Sequence, residues 1–600
     1  MIRFATFAAA IALVLLSGCG TADVGPKATG SGRAKAAVEP WPKFVAGLRD
    51  KTDPKGVRQL LVELNADLAV NPTADQPKKS SEADLAALAA ELKLSKDDVA
   101  FLVPAEFAPL DAHHIADAIF FRSCGQAMGL LPTDPAAFRA GIAFEWVCRQ
   151  MPLAATNAPA APPSFAATRG HGTGFERATV LIALLRQLGL DSFLIGNGAA
   201  ERSANYGSDG QGPFWAVGVR DGDDLLLYDP WRGEAVPGSK PDRPITFAEL
   251  KANPEKHPWI AGAEKLWRAT ANDVKTAEVY VTAPLSSLAP RMQALNEKIA
   301  ADHGLELAVD WASLKSSAKD AAGGSTVVAW NPLAEFSTPL RVLANFLPKS
   351  EGGRAIDQED ISPPIAQFYY SQLPRTISQS LPKDLPPALR SRTLNEAVAM
   401  FGTLYVTPPS PRQKVVRGSW REATKDLVDR RDRFAKAADR LAAGGSRQSP
   451  TLKSWILIFE QAAQRLKEAE LIERRSDLPE ATAEMQKVQR QTPASYGDFL
   501  DEVVSGAGLA EANALLAAAA HERAEAAEVA ARRAELAAND RAKQDTAKAA
   551  RTVAAKEWVT ASAAWQRAME SIDAADRDFP GRKAHVEKCL ARAERLAAAK

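Results

Sequence analysis

The segment from Arg169 to Gly196, RGHGTGFERATVLIALLRQLGLDSFLIG, constrains the fold of this 600-residue chain most strongly. Its apolar residues recur at spacings of three and four, which indicates a helix buried along a broad face. Gly189 follows the last of them and predicts the helix end. Three apolar runs come next, each typical of a strand: Ser192 to Ile195, Phe214 to Val219 and Asp224 to Tyr228. A buried helix that leads into consecutive strands predicts an α+β core.

The same segment resembles the nucleophile helix of the transglutaminase-like superfamily, whose pattern is roughly Gly-x-Cys-x3-Ala-x4-Ala-Leu-Leu-Arg-x-Leu-Gly followed by a strand. The matching residues are Ala178, Ala183, Leu184, Leu185, Arg186, Leu188 and Gly189. The match puts Gly174 where the family has its nucleophilic cysteine, and the resemblance places the family histidine near Phe214 and the family aspartate at Asp229. Only the aspartate is retained. The resemblance therefore implies a transglutaminase-like domain, over about residues 107–235, that lacks the thiol and imidazole of the family's acyl-transfer mechanism.

Other interpretations of these residues stay open. An Asp-Pro pair after an apolar strand also starts ordinary turns, which gives Asp229 a structural role. His171 and Thr173 have the chemistry of a base and a nucleophile, although Thr173 also suits the N-cap of the helix. The glycines before the helix either leave backbone N–H groups for an anion or carboxylate, or only form turns. We expect Glu176 and Arg177 to form a solvated pair in the first helical turn.

The N-terminus has a second distinctive pattern. Arg3 precedes an almost uninterrupted apolar run from Phe4 to Leu16, and Leu-Ser-Gly-Cys ends the pattern at Cys19. It resembles a bacterial lipoprotein signal peptide with its lipobox, which implies a mature chain acylated at Cys19 and anchored by lipid. In such signals Gly20 favours the periplasmic face of the outer membrane. Residues 20–40 are rich in Gly, Ala, Lys, Thr and Pro, and we expect them to form a flexible tether.

Charge and metal-binding residues narrow the possible partners. The 74 basic and 73 acidic residues leave a net charge of +1, which makes no electrostatic case for nucleic acid. The seven histidines have no HExxH or CxxC context, and we expect neither a metal nor a cofactor. Cys124 and Cys148 lie in neighbouring apolar segments, where they either form a disulfide or remain buried thiols. Cys589 and His585, one helical turn apart, are too few ligands for a metal site.

Composition divides the rest of the chain into segments. Residues 41–105 predict helices, and residues 106–240 contain the transglutaminase-like domain. Residues 241–345 alternate strand and helix patterns and predict a small α/β module. Residues 346–415 are rich in proline and predict a linker. Residues 416–600 predict a long α-helical region that is either coiled-coil or tetratricopeptide-like (TPR-like).

The helical region contains a stretch from Leu509 to Phe579 without Gly or Pro, dominated by good helix formers. Asn539 and Asp540 are the expected place for a hairpin, and the alternative is a long helix that pairs between chains. The final segment, with Phe579-Pro580 at its junction, is similar to a TPR helix pair, an arrangement that binds partner proteins.

Two classes of function follow. The first is a membrane-anchored envelope lipoprotein whose inactive transglutaminase-like domain serves protein or cell-wall recognition or scaffolding, with the C-terminal helices as the surface for protein partners or self-association. The second is an amidase, peptidase or acyl-transfer enzyme with non-standard catalytic residues. Loss of both the cysteine and the histidine favours the first. A third possibility is a coincidental resemblance in an α-rich adhesion or assembly protein.

Overall fold

A computed structural model of the chain describes residues 40–72, 76–153, 162–197, 214–240, 243–262, 267–330, 404, 410–443, 464, 493–572 and 582–598. In these residues the molecule is mixed α+β, with a six-stranded sheet, helices on both of its faces and a C-terminal helical region. The predicted signal peptide with Cys19, nearly all of the tether and most of the proline-rich linker lie outside the described residues.

The strands of the sheet are β1 (Ser192–Gly196), β2 (Phe214–Asp221), β3 (Asp224–Asp229), β4 (Glu234–Ala235), β5 (Glu278–Val281) and β6 (Val327–Ala329). Their order across the sheet is β4-β3-β2-β1-β5-β6, and all neighbours are antiparallel except β5 and β6. The strands β1, β2 and β3 confirm the three runs predicted after the buried helix.

The helices before and within the sheet region are α1 (Pro40–Gly47), α2 (Pro54–Val70), α3 (Glu82–Leu92), α4 (Lys96–Leu102), α5 (Pro109–Ala127), α6 (Ala136–Gln150), α7 (Pro163–Arg169), α8 (Gly174–Gln187), α9 (Phe247–Ala252), α10 (Pro258–Ala261), α11 (Ala271–Lys275), α12 (Pro290–His303) and α13 (Trp311–Ala321). Short 3₁₀ turns cover Pro254–Lys256 and Leu285–Leu288.

The predicted buried helix is α8. All of its residues are buried except Ala183 and Arg186, which are half-buried. Gly189 has a φ of +66°, a left-handed conformation that favours glycine and that turns the chain out of the helix towards β1. The prediction of the helix and of its end is therefore confirmed.

The two faces of the sheet pack into different cores. Leu226 and Tyr228 of β3 face the core around α8, whereas Leu225 and Leu227 face a second core that includes Phe247 of α9. Because helices cover both faces, the strands need apolar residues at nearly every position.

The prediction of a separate α/β module over residues 241–345 is wrong. β5 pairs with β1 of the same sheet, and β6 pairs with β5. Strands of four and three residues are too short to bury a core alone, so they extend the existing sheet instead. The alternating strand and helix patterns of this segment also predict a strand over Leu305 to Val309, which does not form, although Leu305 and Leu307 are buried.

The N-terminal helices share a core with α12, which lies between β5 and β6 in the sequence. Phe44 of α1 and Leu64 of α2 belong to the same buried cluster as Met292 of α12. A fully buried ion pair adds to this contact, because Arg291 Nε lies 2.7 Å from Asp111 Oδ2. The segment 41–105 is helical as predicted, and it is part of the packed α+β body.

The helices of the C-terminal region are α14 (Pro411–Val416), α15 (Trp420–Ala443), α16 (Pro493–Leu536), α17 (Arg541–Ser571) and α18 (Arg582–Ala598). α16 and α17 form an intramolecular hairpin, and Asp540 caps α17 by accepting a hydrogen bond from the Lys543 N–H. The hairpin predicted at Asn539 and Asp540 is confirmed. α15 packs on α16 and α18 packs on α17, while the Phe579-Pro580 junction lies outside the described residues.

Within the described part of the chain, no helix has the length and apolar character to cross a membrane.

Candidate functional site

The mouth of α8 is closed by an indole ring. A Cβ atom placed on Gly174 would lie 2.2 Å from Cδ1 and 2.4 Å from Cγ of Trp231, which is far inside van der Waals contact. Trp231 is half-buried, and the guanidinium of Arg268 lies 4.4 Å from the centroid of its ring. The position that the resemblance assigns to a nucleophile therefore has no side chain and no room for one.

Phe214, at the position assigned to the family histidine, is fully buried in an aromatic cluster. Its ring is stacked with that of Phe175 at a centroid distance of 6.0 Å, and it makes edge contacts with Tyr280 at 5.0 Å and Trp330 at 5.2 Å. Such contacts contribute packing energy and no proton transfer. No base stands at this position.

Asp229 ends β3 and organises the turn after it, residues 229–233, which we call the β3 turn. Its Oδ1 accepts hydrogen bonds from the backbone N–H groups of Trp231 at 2.8 Å and Arg232 at 3.0 Å. This bonding confirms the structural role that the Asp-Pro pair predicted for Asp229. The other carboxylate oxygen, Oδ2, is buried without a hydrogen-bond partner.

Burial raises the pKa of Asp229 to about 6, against the opposing effect of the two backbone hydrogen bonds and of nearby Arg268 and Arg232. A carboxyl group with this pKa exchanges its proton near neutral pH. It is the one group at the three family positions that retains acid–base chemistry.

Thr173 is the N-cap of α8. Its Oγ1 accepts a hydrogen bond from the Glu176 N–H at 3.1 Å, and the Glu176 carboxylate accepts one from the Thr173 N–H at 2.9 Å. The N-cap interpretation is therefore confirmed. His171 is half-buried, and burial followed by the positive charge of Arg169 lowers its pKa to about 3, which makes its imidazole a weak base at neutral pH.

The prediction that Glu176 and Arg177 form a solvated pair is wrong, because both are buried and each has another partner. Glu176 Oε2 lies 2.7 Å from the guanidinium of Arg169. The reason is that α8 has no solvent-facing side in its first turns, so a charged residue there must find a buried partner.

Arg177 connects three segments through backbone carbonyl groups. Its Nε donates to Met151 O at 2.6 Å, one terminal nitrogen donates to Pro230 O at 3.0 Å, and the other donates to Cys148 O at 3.4 Å. Arg177 thereby fastens the end of α6 and the β3 turn to α8.

Cys124, Cys148 and Cys589 are free thiols, so the structure contains no disulfide between Cys124 and Cys148. Cys124 and Cys589 are buried and Cys148 is half-buried. Burial raises the pKa of Cys148 to about 11 and that of Cys589 to about 12, which disfavours the nucleophilic thiolate. Among the described residues, no three His, Cys, Asp or Glu side chains are grouped to hold a metal ion.

Two residues that determine this site were not predicted to do so: Trp231 was not singled out in the sequence, and Arg177 was expected to lie in solvent. Trp231 comes two residues after the retained Asp229, and a large ring there complements the missing side chain at position 174. This complementarity can be recognised in the sequence only if the two segments, which are 57 positions apart, are known to be in contact. No protein-family model matches the chain, and no curated protein or solved structure matches it either.

Proposed function

We propose that the chain is a lipid-anchored envelope protein whose α+β domain is a catalytically inactive transglutaminase-like domain that serves recognition or scaffolding. Its anchor is the acylated Cys19, and its place is the bacterial cell envelope, at the periplasmic face of the outer membrane. Its ligands are proteins or cell-wall components rather than nucleic acid. The C-terminal helices provide additional surface for protein partners or self-association.

The contact between Trp231 and Gly174 is the observation that carries this proposal. Acyl transfer needs a nucleophile at the helix mouth and space beside it for the acyl group. Here a glycine stands at the mouth and an indole occupies the adjacent space. Phe214, in its aromatic cluster, leaves the position of the base without an ionisable group.

The alternative is an amidase, peptidase or acyl-transfer enzyme with non-standard residues, and one observation favours it. The carboxyl group of Asp229 combines a pKa of about 6 with a buried Oδ2 that has no hydrogen-bond partner. These are properties of a general acid or base. This hypothesis makes Asp229 the residue on which any activity depends.

Cell fractionation tests the anchor. Wild-type protein and the control variant Cys148→Ala are expected in the membrane fraction, whereas Cys19→Ala is expected in the soluble fraction because it lacks the acylated residue. Retention of Cys19→Ala with the membranes would contradict a lipid anchor at this residue.

Amide turnover tests the absence of catalysis. Ammonia release from glutamine peptides and hydrolysis of peptide amides are measured with the full chain and with Asp229→Asn. We expect no turnover by either protein. Turnover by the wild type that disappears in Asp229→Asn would establish the enzyme alternative instead.

A further inference from the structure

The C-terminal region contacts α6 at both of that helix's ends. Next to its start, Arg533 of α16 binds Asp134 with nitrogen–oxygen distances of 2.6 and 2.9 Å, and it also donates to Gly129 O at 2.6 Å. At its end, Arg149 binds the carboxylate of Glu522 of α16 through two bonds of 3.2 Å. Side chains of α16 therefore reach both ends of α6.

The contact at the end of α6 is part of a buried ionic network. Arg149 also lies 3.5 Å from Glu525, and Arg592 of α18 binds Glu525 at 2.6 Å and Glu145 of α6 at 3.0 Å. Burial by itself would raise the pKa of Glu525, but Arg149, the hydrogen bond from His521 and Arg592 together hold it well below its usual range. We define the C-terminal clamp as α16 and α18 with the four of their side chains in these contacts: Glu522, Glu525, Arg533 and Arg592.

The imidazole of His521 links this network to α17. Trp565 Nε1 donates to His521 Nδ1 at 2.9 Å. His521 Nε2 lies 3.3 Å from Glu525 Oε1, to which it donates a hydrogen bond. At this end of α6, three carboxylates therefore lie against two guanidinium groups. Glu522, Glu525 and Arg149 are largely removed from water, whereas the Glu145 side chain is 45% exposed.

At an interface of this kind, the favourable and unfavourable contributions to the free energy of docking nearly cancel. The attraction between buried charges is offset by the free energy of removing them from water, so their net contribution to docking is small. The apolar residues of the C-terminal helices are mostly buried elsewhere: Ala524 of α16 and Trp558 of α17 belong to the helical region's own cluster. Val529 of α16 and Val416 of α14 are exceptions, since both join the core around α8. The helical region therefore has its own core apart from this interface.

A continuous set of contacts leads from the clamp to the closed site. α6 ends at Gln150, whose side chain also donates to Glu522 at 2.7 Å. The carbonyl groups at that end accept hydrogen bonds from Arg177, which donates to Pro230 in the β3 turn as well. The turn in turn places Trp231 against Gly174.

We propose that the C-terminal clamp controls access to the mouth of α8: while it contacts α6, Arg177 keeps the β3 turn in place with Trp231 over Gly174, and when it releases α6 this face of the domain opens. The proposal rests on the proposed function, because it supplies the regulation of that same recognition site. Different segments form the clamp and the mouth of α8, so the free energy of coupling between them can be measured.

The test is backbone amide exchange of the full chain, read at residues 231–233, together with the alkylation rate of the Cys148 thiol. The thiol lies 3.5 Å from the position of a Cβ on Gly233, so it reports on the contact between α6 and the turn. The double variant Glu522→Ala/Arg533→Ala removes one clamp side chain at each end of α6 and changes no residue of the turn. We expect both rates to rise by about tenfold or more, with exchange in α8 unchanged, because the opening is local.

The matched control is Arg523→Ala. Arg523 neighbours Glu522 in the sequence, but it pairs with Glu557 of α17 at 2.5 Å and is 45% exposed, so its loss leaves the contacts with α6 intact. Wild-type rates are expected for it at both positions. Wild-type rates in the double variant would overturn the proposal.

A second variant covers the case in which the double variant unfolds, which a parallel rise of exchange in α8 would reveal. Glu522→Gln keeps the size of the side chain and removes its charge, and the same two rates decide the question for it: a local rise supports the clamp, and wild-type rates refute it. Fractionation and amide turnover do not depend on these rates, so the proposed function and its regulation can each fail alone.

Discussion

The indole of Trp231 occupies the volume that a side chain at Gly174 would need. The built Cβ of residue 174 falls 2.2 to 2.6 Å from three atoms of the ring, so the glycine and the tryptophan are complementary in shape. The site at the helix mouth is therefore a packed interior contact, and its substitutions are expected to affect stability before they affect chemistry.

Gly174→Ala should destabilise the protein by about 1–3 kcal/mol, because overpacking forces the indole or the helix to move. The measurement is denaturant unfolding. Gly141→Ala is the matched control: it lies within α6 with nothing within 4 Å of its Cβ position, and removal of a helical glycine should stabilise by about 0.5–1 kcal/mol. Adding Trp231→Ala to Gly174→Ala should recover part of the loss, and strict additivity of the two effects would contradict the steric contact.

Phe214→His should lower stability by several kcal/mol and should create no activity. The imidazole would replace a ring that is stacked with Phe175 and packed against Tyr280, and it would be polar in an apolar cluster. Thermal unfolding measures the loss, and the amide turnover assay checks for activity. Phe214→Leu, which remains apolar, should be less destabilising, so an equal effect of the two substitutions would argue against the penalty for a polar group.

Asp229→Asn should change the pH dependence of stability. Its pKa is raised from 3.8 to about 6 in the folded protein, so the folded state favours the protonated form, and the stability that this provides is complete below pH 4 and is lost as the pH rises through 6. The effect is at most about 3 kcal/mol. The asparagine carbonyl can still accept the two backbone hydrogen bonds, so the variant should be as stable as the wild type near pH 4 and more stable near pH 7.

The control for this titration is internal. Burial also raises the pKa of Asp117 to about 6, but Asp117 is present in both proteins and its contribution cancels in their difference. Urea unfolding at pH 4, 5, 6 and 7 measures that difference. A difference that stays constant across the series would show that Asp229 does not titrate as described.

Thr173→Ala should lower stability by about 1 kcal/mol through the loss of the helix cap, and Thr173→Ser should restore most of it. Unfolding of the three proteins gives the comparison. A nucleophilic threonine would instead produce turnover that is lost in the alanine variant at unchanged stability.

Alkylation of the native protein should modify Cys148 before Cys124 and Cys589. Cys148 is half-buried and its pKa is about 11, whereas the other two thiols are buried. Peptide mass spectrometry after brief treatment with iodoacetamide gives the order. Faster reaction of Cys124 would contradict its burial in α5.

Local patterns predicted the elements of the core from the sequence. The apolar spacing in α8, the left-handed Gly189 and the strands β1 to β3 all follow from interactions within a few residues. The N-cap at Thr173 and the hairpin near Asp540 are also local, because each of these side chains accepts a hydrogen bond from a backbone N–H in the first turn of the helix that it caps. The predictions that failed depend on how the elements pack: β5 and β6 join the same sheet, and the burial of α8's first turns gives Glu176 and Arg177 buried partners.

The amino-acid sequence is enough to predict an α+β core with a long helical region, and it shows glycine and phenylalanine at two positions where the resembled family has catalytic groups. Hydrophobic periodicity and residue identity suffice for these conclusions, because they depend on the backbone and on chemistry at single positions. The cover of Trp231 over Gly174, and the bonds of Arg177 to carbonyl groups of α6 and the β3 turn, are visible only in the folded molecule. These contacts join segments that are distant in the sequence and meet only in the folded chain. Because the interior is closely packed, the indole of Trp231 fits there only if residue 174 is as small as glycine.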